Sequence, residues 1–339
     1  MILHTRLCDQ LGIEHPILNA PMGGGDAPGA LAAAVSEAGG LGLIGGTTVG
    51  GPSWLIEQIQ RARELTDKPF GVGVISHFPG AAELMAVALE EGVRVIAHSF
   101  ADPSPFVPAA HDAGALVLSQ VRTLADARVA ANAGVDVITA QGTEAGGHTG
   151  RVSTLPFVPA VVDAVAPIPV VAAGGIADGR GIAAALMLGA EAVWLGTRFI
   201  ATRESGVSDA YRARVIGAGA DDTVLTDVFD VAAGRPWPEG VSGRAIANDF
   251  SRRWHGRDEA LAAWAESHRA DYVALGAEHE IDQHAVWAGE AAGLVTRVEP
   301  AGAVVTRLVA EATAVLEQRP GFLLRSEQRA PDTAMGAGD

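Results

Sequence analysis

Eight short apolar runs, each followed by an Ala-rich stretch of helical period, recur over roughly the first 200 residues, within the size of one α/β barrel. They read PILNAPM (16–22), LGLIG (41–45), FGVGVI (70–75), VRVIAHS (93–99), ALVLSQ (115–120), VDVITAQ (135–141), PVVAAGG (169–175) and AVWLGTR (192–198). Continuously apolar strands are those buried on both faces, and their alternation with helices implies parallel pairing through crossovers. Eight such units are the number that closes a (β/α)8 TIM barrel, with an open doubly wound sheet as the alternative. Most of the intervening helices stop at a glycine (Gly39, Gly92, Gly114, Gly134, Gly189), the residue suited to a left-handed C′ position.

Gly40, Gly42 and Gly45 spell a G-x-G-x-x-G pattern, but these glycines sit in and around the second strand instead of opening a helix after it. They read as a helix stop and close strand packing. After Arg198 the pattern changes. Residues 203–285 carry aromatic and charged helical segments without clear strand alternation, which predicts a smaller, mostly helical domain inserted after strand eight and capping the substrate. The barrel then comprises 1–202 plus 286–325, with a last helix near 301–319 packed back on it, and 326–339 is a polar tail.

Apolar residues make up 48% of the 339-residue chain, enough for a large core, and 24 basic against 40 acidic side chains give a net charge of −16. That balance argues against a nucleic-acid partner, whose phosphates need a basic face. The one cysteine, Cys8, excludes an internal disulfide framework and fits a reducing compartment. No h-region opens the chain, and Asp163, Pro167 and Pro169 break its most apolar stretch too soon to span a bilayer. A cytoplasmic protein without membrane contact is expected.

Barrel chemistry sits at the carboxyl ends of the strands. Here these are Pro21-Met22-Gly23, Gly73 to His77, His98-Ser99, Gln120, Gln141 to His148, Ala173-Gly174-Gly175 and Gly196-Thr197. The glycine turns after strands seven and eight can converge backbone N–H groups on a phosphate, aided by a helix N-terminus and the Thr197 hydroxyl. Asp178 is a plausible N-cap of the helix that follows. His148, in TEAGGHTGR, can accept a carbon acid's proton, although a lone loop histidine is often only a surface residue. In HEIDQH (279–284) the two histidines are five apart, off the i, i+4 face of a helical zinc pair, so no metal site is expected. Cys8 lies on the wrong side of the barrel for chemistry, and no G-x-S-x-G elbow is present.

HPILNAPMGG, AQGTEAGGHTG, PVVAAGGIADGRG and WLGTRFIATRES, in that order, resemble the nitronate monooxygenases, formerly 2-nitropropane dioxygenases, an FMN-dependent TIM-barrel family. RAIAND and WAGEAAGLV extend the likeness over nearly the whole chain. The resemblance implies non-covalent FMN, its phosphate on Ala173, Gly174, Gly175, Gly196 and Thr197. Pro21, Met22 and Gly23 would line the isoalloxazine, with Gln120, Gln141 and Gly146 as polar or backbone contacts. His148 matches the family's catalytic histidine. One departure is Gly73, where many relatives have Asn.

The implied activity is oxidation of alkyl nitronates, and of nitroalkanes, by O2 to carbonyl compounds and nitrite. Flavin reductases of the same fold share EAGGH, so an NAD(P)H-dependent reductase of quinones or enoyl thioesters is the alternative. An acidic carrier protein would then have to dock on a chain of net −16, where Arg-rich stretches such as RRWHGR (252–257) could offer a basic patch but read first as a solvated helix face. A barrel binding a phosphorylated metabolite without redox chemistry is the third reading. Oligomeric state stays open.

Overall fold

The computed structural model describes residues 3–47, 50–276 and 281–323. Its strands are β1 (Ile17–Asn19), β2 (Gly42–Gly45), β3 (Phe70–Ile75), β4 (Val95–Ser99), β5 (Leu116–Val121), β6 (Val137–Gln141), β7 (Gly147–Thr149), β8 (Val170–Ala173), β9 (Ala192–Leu195), β10 (Thr223–Thr226) and β11 (Ser242–Ile246). Eight pair in parallel in the order β1-β9-β8-β6-β5-β4-β3-β2, and a bridge between Leu18 and Leu41 closes the ring. The TIM barrel is therefore present, and each of its strands falls within one of the eight apolar runs or one residue beyond it.

Two nested cores account for the continuous apolar reading. Leu43, Val95, Leu118, Val137, Val171 and Trp194 face the barrel interior, where they meet Leu7, Cys8 and Leu11 of the helix Arg6–Leu11. Their strand neighbours Ile44, Ile96, Val117, Ile138, Val170 and Val193 pack outward against the helices. Cys8 is buried in the interior layer with that first helix, remote from the strand ends that carry the cavity described below.

The closing seam is short because β1 has three residues, and a side chain completes it. Buried Asn19 donates from Nδ2 to the Leu43 carbonyl (2.8 Å) and accepts the Leu43 N–H at Oδ1 (2.8 Å), copying a ladder rung. The glycine-rich second strand serves the same contact zone. A Cβ at Gly42 would lie 1.8 Å from the Ala32 carbonyl oxygen, and one at Gly45 would lie 1.9 Å from that of Met22. These glycines let helix Gly29–Glu37 and the loop after β1 approach the strand closely, as their placement in the sequence implied. All five helix-ending glycines have positive φ.

The segment after β9, read as mostly helical and without clear strand alternation, also contains strands. Beside helices such as Val228–Ala233 and Asp258–Leu275 it contributes β10 and β11, which pair antiparallel, and β11 pairs with β7 to make a three-stranded sheet. These strands have three to five residues, too short for alternation to show, and β7 is the GHT of the glycine-rich loop. Thus RAI of RAIAND is strand, and Asn248 caps the helix that follows by accepting the Ser251 N–H. The helix Ala301–Leu323 packs Val304, Val305 and Leu308 into the outer core. Among the described residues no helix is long and apolar enough to cross a membrane.

Candidate active site

A cavity of about 1020 Å³ opens at the carboxyl ends of the strands. Pro21, Met22, Gly23, Gln120, Gln141, Gly146, His148, Ala173, Gly174, Gly175, Gly196 and Thr197 all line it. The barrel brings them together from the carboxyl ends of β5, β6 and β8, from β7, and from the segments after β1, β6, β8 and β9. His98 also lines it, but its ring is spent on structure: Nδ1 meets Ser76 Oγ at 2.5 Å and Nε2 the Ala101 carbonyl at 2.9 Å. Burial pushes His98 below the ordinary imidazole value, which keeps it neutral. His77 instead sits at Trp237, its Nε2 3.1 Å from the Pro236 carbonyl.

One end of the cavity presents backbone donors with no acceptor of their own among the described residues. Gly174 and Gly175 have φ of 102° and 70°, and their N–H groups donate to no acceptor among the described residues. Opposite them, Thr197 begins a helical turn at Gly196, so its N–H has no intrahelical acceptor. The Thr197 hydroxyl accepts the Gly289 N–H (2.9 Å) and keeps its own proton for donation. The helix after β8 contributes no free donor at Gly179, Arg180 or Gly181. Asp178 does cap that helix, accepting from Arg180 and Gly181, and Glu311 takes the Gly179 N–H, so those donors are consumed. Among the described residues, the free donors at this end are therefore the Gly174 and Gly175 amides together with the N–H and hydroxyl of Thr197 at the start of the short helix after β9.

Absence of side chains shapes the middle of the cavity. A Cβ at Gly73 would fall 2.2 Å from Pro21 Cγ, so the Pro21 ring fills the space a side chain at 73 would need. That accounts for the missing amide at this edge. A Cβ at Gly146 would lie 2.6 Å from the Gly289 nitrogen. Gln120 Nε2 donates to Gln141 Oε1 (2.8 Å), and Gln141 Nε2 donates to the His148 carbonyl (3.1 Å), so the two amides are fixed in a chain that ends at the histidine backbone.

His148 lies on β7, opposite Gly243 of β11. Its Nε2 is 2.8 Å from Asp230 Oδ2, and the indole of Trp237 stacks on the imidazole with centroids 3.6 Å apart and planes at 15°. Trp237 Nε1 donates to Asp230 Oδ1 at 3.1 Å. Trp287 also packs against the imidazole, with centroids 4.9 Å apart, held by buried Tyr211, whose hydroxyl accepts the Trp287 backbone N–H at 2.5 Å. Burial raises the Tyr211 phenol well above its usual range, so it stays protonated. Phe78 and Phe100 complete an aromatic wall around Trp237.

Asp230, Trp237 and Trp287 were not legible as site residues. Asp230 is 82 positions from His148 and sits in an ordinary amphipathic turn. Trp237, between two prolines in GRPWPEG, carried the one usable signal, a large aromatic side chain in a loop. For the HEIDQH reading, His279 and Glu280 lie outside the described residues. Among those described, no group of three or more His, Cys, Asp or Glu side chains could hold a metal ion.

Comparison with known proteins places this site in a family. The model described as nitronate monooxygenase matches residues 4–311. A nitronate monooxygenase from Paraburkholderia phytofirmans is 34% identical over 92% of this chain and 96% of its own length. A Mycobacterium tuberculosis protein named (3aS,4S,5R,7aS)-5-hydroxy-7a-methyl-1-oxo-octahydro-1H-indene-4-carboxyl-CoA dehydrogenase is 41% identical over 68% of this chain, which spans 65% of that relative's length. The solved structure of FabK from Thermotoga maritima superposes with a TM-score of 0.85 at 37% identity, covering 94% of this chain and 99% of that one. The strand-end cavity, its amide-lined turn and the histidine of EAGGH thus belong to a chain that is a member of the nitronate monooxygenase family.

Proposed function

We propose that the chain is an FMN-dependent oxidoreductase that converts alkyl nitronates, and neutral nitroalkanes, to carbonyl compounds and nitrite with O2. The observation that carries this reading is the pairing, in one cavity, of an amide cradle at Gly174, Gly175 and Thr197 with the His148 imidazole on its lining. The residues fit FMN. The cradle suits its terminal phosphate, Pro21, Met22 and Gly23 would line its ring system, and Gln120, Gln141 and Gly146 offer polar and backbone contacts. The volume exceeds that of most single-ligand sites, leaving room for a substrate. When bound, the flavin supplies electron transfer to oxygen.

The chain's own residues do the rest. His148 takes the Cα proton of a neutral nitroalkane and leaves the nitronate in place, while a substrate already ionised needs only to be held. Trp237, Trp287, Phe78 and Phe100 exclude water around it, which strengthens each polar contact inside. Arg235, exposed at the rim, gives the second reading some support, because a phosphate-bearing nicotinamide or thioester would find a cation there.

Oxygen uptake and nitrite release with ethyl nitronate, using FMN-loaded protein and no nicotinamide, test the proposal. Both should rise together. Turnover seen only when NAD(P)H and a quinone or enoyl thioester are supplied would replace it with the reductase reading.

A further inference from the structure

We propose that Asp230 is a positioning residue that holds neutral His148 with its proton on Nε2, so that Nδ1 is the atom that takes the substrate proton. The proposal deepens the reading of His148 as a base and rests on it. A carboxylate can only accept hydrogen bonds, so the 2.8 Å contact between Asp230 Oδ2 and Nε2 requires the hydrogen on that nitrogen. Nδ1 has no hydrogen-bond partner among the described residues and is not among the buried polar atoms left without one, so it stays accessible.

The pair is also locked. His148 and Asp230 side chains are only 12% and 10% exposed, so water competes poorly for the bond. Asp230 cannot turn away, because Trp237 Nε1–H occupies its other oxygen. The imidazole cannot flip freely, because the same indole stacks on its face and Trp287 packs against it at a 50° tilt. At the backbone, β7 is fixed by β11 and by Gln141. A Cβ at position 243 would come within 2.4 Å of Trp287 and 3.4 Å of His148 Nε2, so glycine there leaves the rings their place.

One consequence concerns the segment inserted after β9. Asp230 lies in its helix Val228–Ala233 and Trp237 in the loop that follows, so the inserted segment completes the base as well as covering the cavity.

The test is Asp230→Asn in the FMN-loaded protein, read in two ways. Imidazole 15N NMR of neutral His148 should show the Nε2–H form in the parent. In Asp230→Asn a mixture or the Nδ1–H form is expected, because an amide can donate to Nε2. Kinetically, kcat on a neutral nitroalkane should fall by about 10²–10⁴-fold, the scale of losing a base or its correct tautomer, with little change in KM and a smaller loss on the pre-ionised nitronate. Trp237→Phe keeps the stack and removes only the Nε1–H bond to Asp230, so it should give the same pattern in milder form. An Nδ1–H tautomer in the parent, or an unaltered Nε2–H tautomer in both variants, would overturn the assignment to Asp230. A tautomer that changes while neutral-nitroalkane turnover stays at the parental rate would uphold the positioning role and instead refute His148 as the base.

Discussion

His148→Asn should abolish most turnover of neutral nitroalkanes, by about 10²–10⁴-fold, while the purified variant keeps its flavin. Asn matches the size of the ring's near half and can still hydrogen-bond Asp230, so the cavity wall survives. It cannot accept a proton from carbon near neutral pH. The loss should be far smaller on a nitronate prepared in base, since that substrate arrives ionised. Flavin retention should be unaffected, because the amide cradle is formed by residues after β8 and β9 and shares no side-chain bond with the imidazole. The measurement is steady-state nitrite release from nitroethane and ethyl nitronate, with flavin content determined on the same sample. Parental rates on nitroethane would remove His148 from the role of base.

Gly175→Val should strip the protein of FMN. The residue has φ of 70°, a region a β-branched side chain adopts only at a cost of about 1–3 kcal/mol. Its Cβ would sit 3.3 Å from Glu144 Cβ, and Glu144 has no freedom to retreat. The Glu144 carboxylate accepts the Thr154 N–H and hydroxyl, both at 2.9 Å through Oε2. The turn must therefore move, and with it the two N–H groups offered to the phosphate. Losing one charge-assisted bond of about 1.5–3 kcal/mol weakens binding roughly 10–100-fold, and displacement of both costs more. Thr197→Val is the milder companion, removing one hydroxyl and freeing the Gly289 N–H. Flavin per chain after gel filtration reports both. Full occupancy in both variants would mean that the phosphate sits elsewhere.

The parts of this molecule that the sequence discloses are those set by local pattern. The eight barrel strands were readable because burial on both faces leaves a run of Val, Ile, Leu and Ala with glycine stops between, and Asp178 read as a cap from its place before a helix. The cavity lining followed from the rule that strand ends carry the site, supplemented by family likeness. What stayed hidden depends on distant partners. The antiparallel strands are too short to alternate, and the Glu311 bond to the Gly179 N–H unites segments 132 residues apart. Asn19 carries no local sign that its side chain completes the barrel seam. Asp230 has no local mark at all, since its role exists only once the inserted segment lies against β7.

The most direct test of the account is the visible spectrum of the purified protein during anaerobic mixing with NADH and then NADPH. The account predicts about one FMN per chain, with absorption bands that stay oxidised with either nucleotide. Prompt bleaching would contradict it in favour of a nicotinamide-dependent reductase. A colourless protein that also fails to retain added FMN would contradict the flavin reading itself.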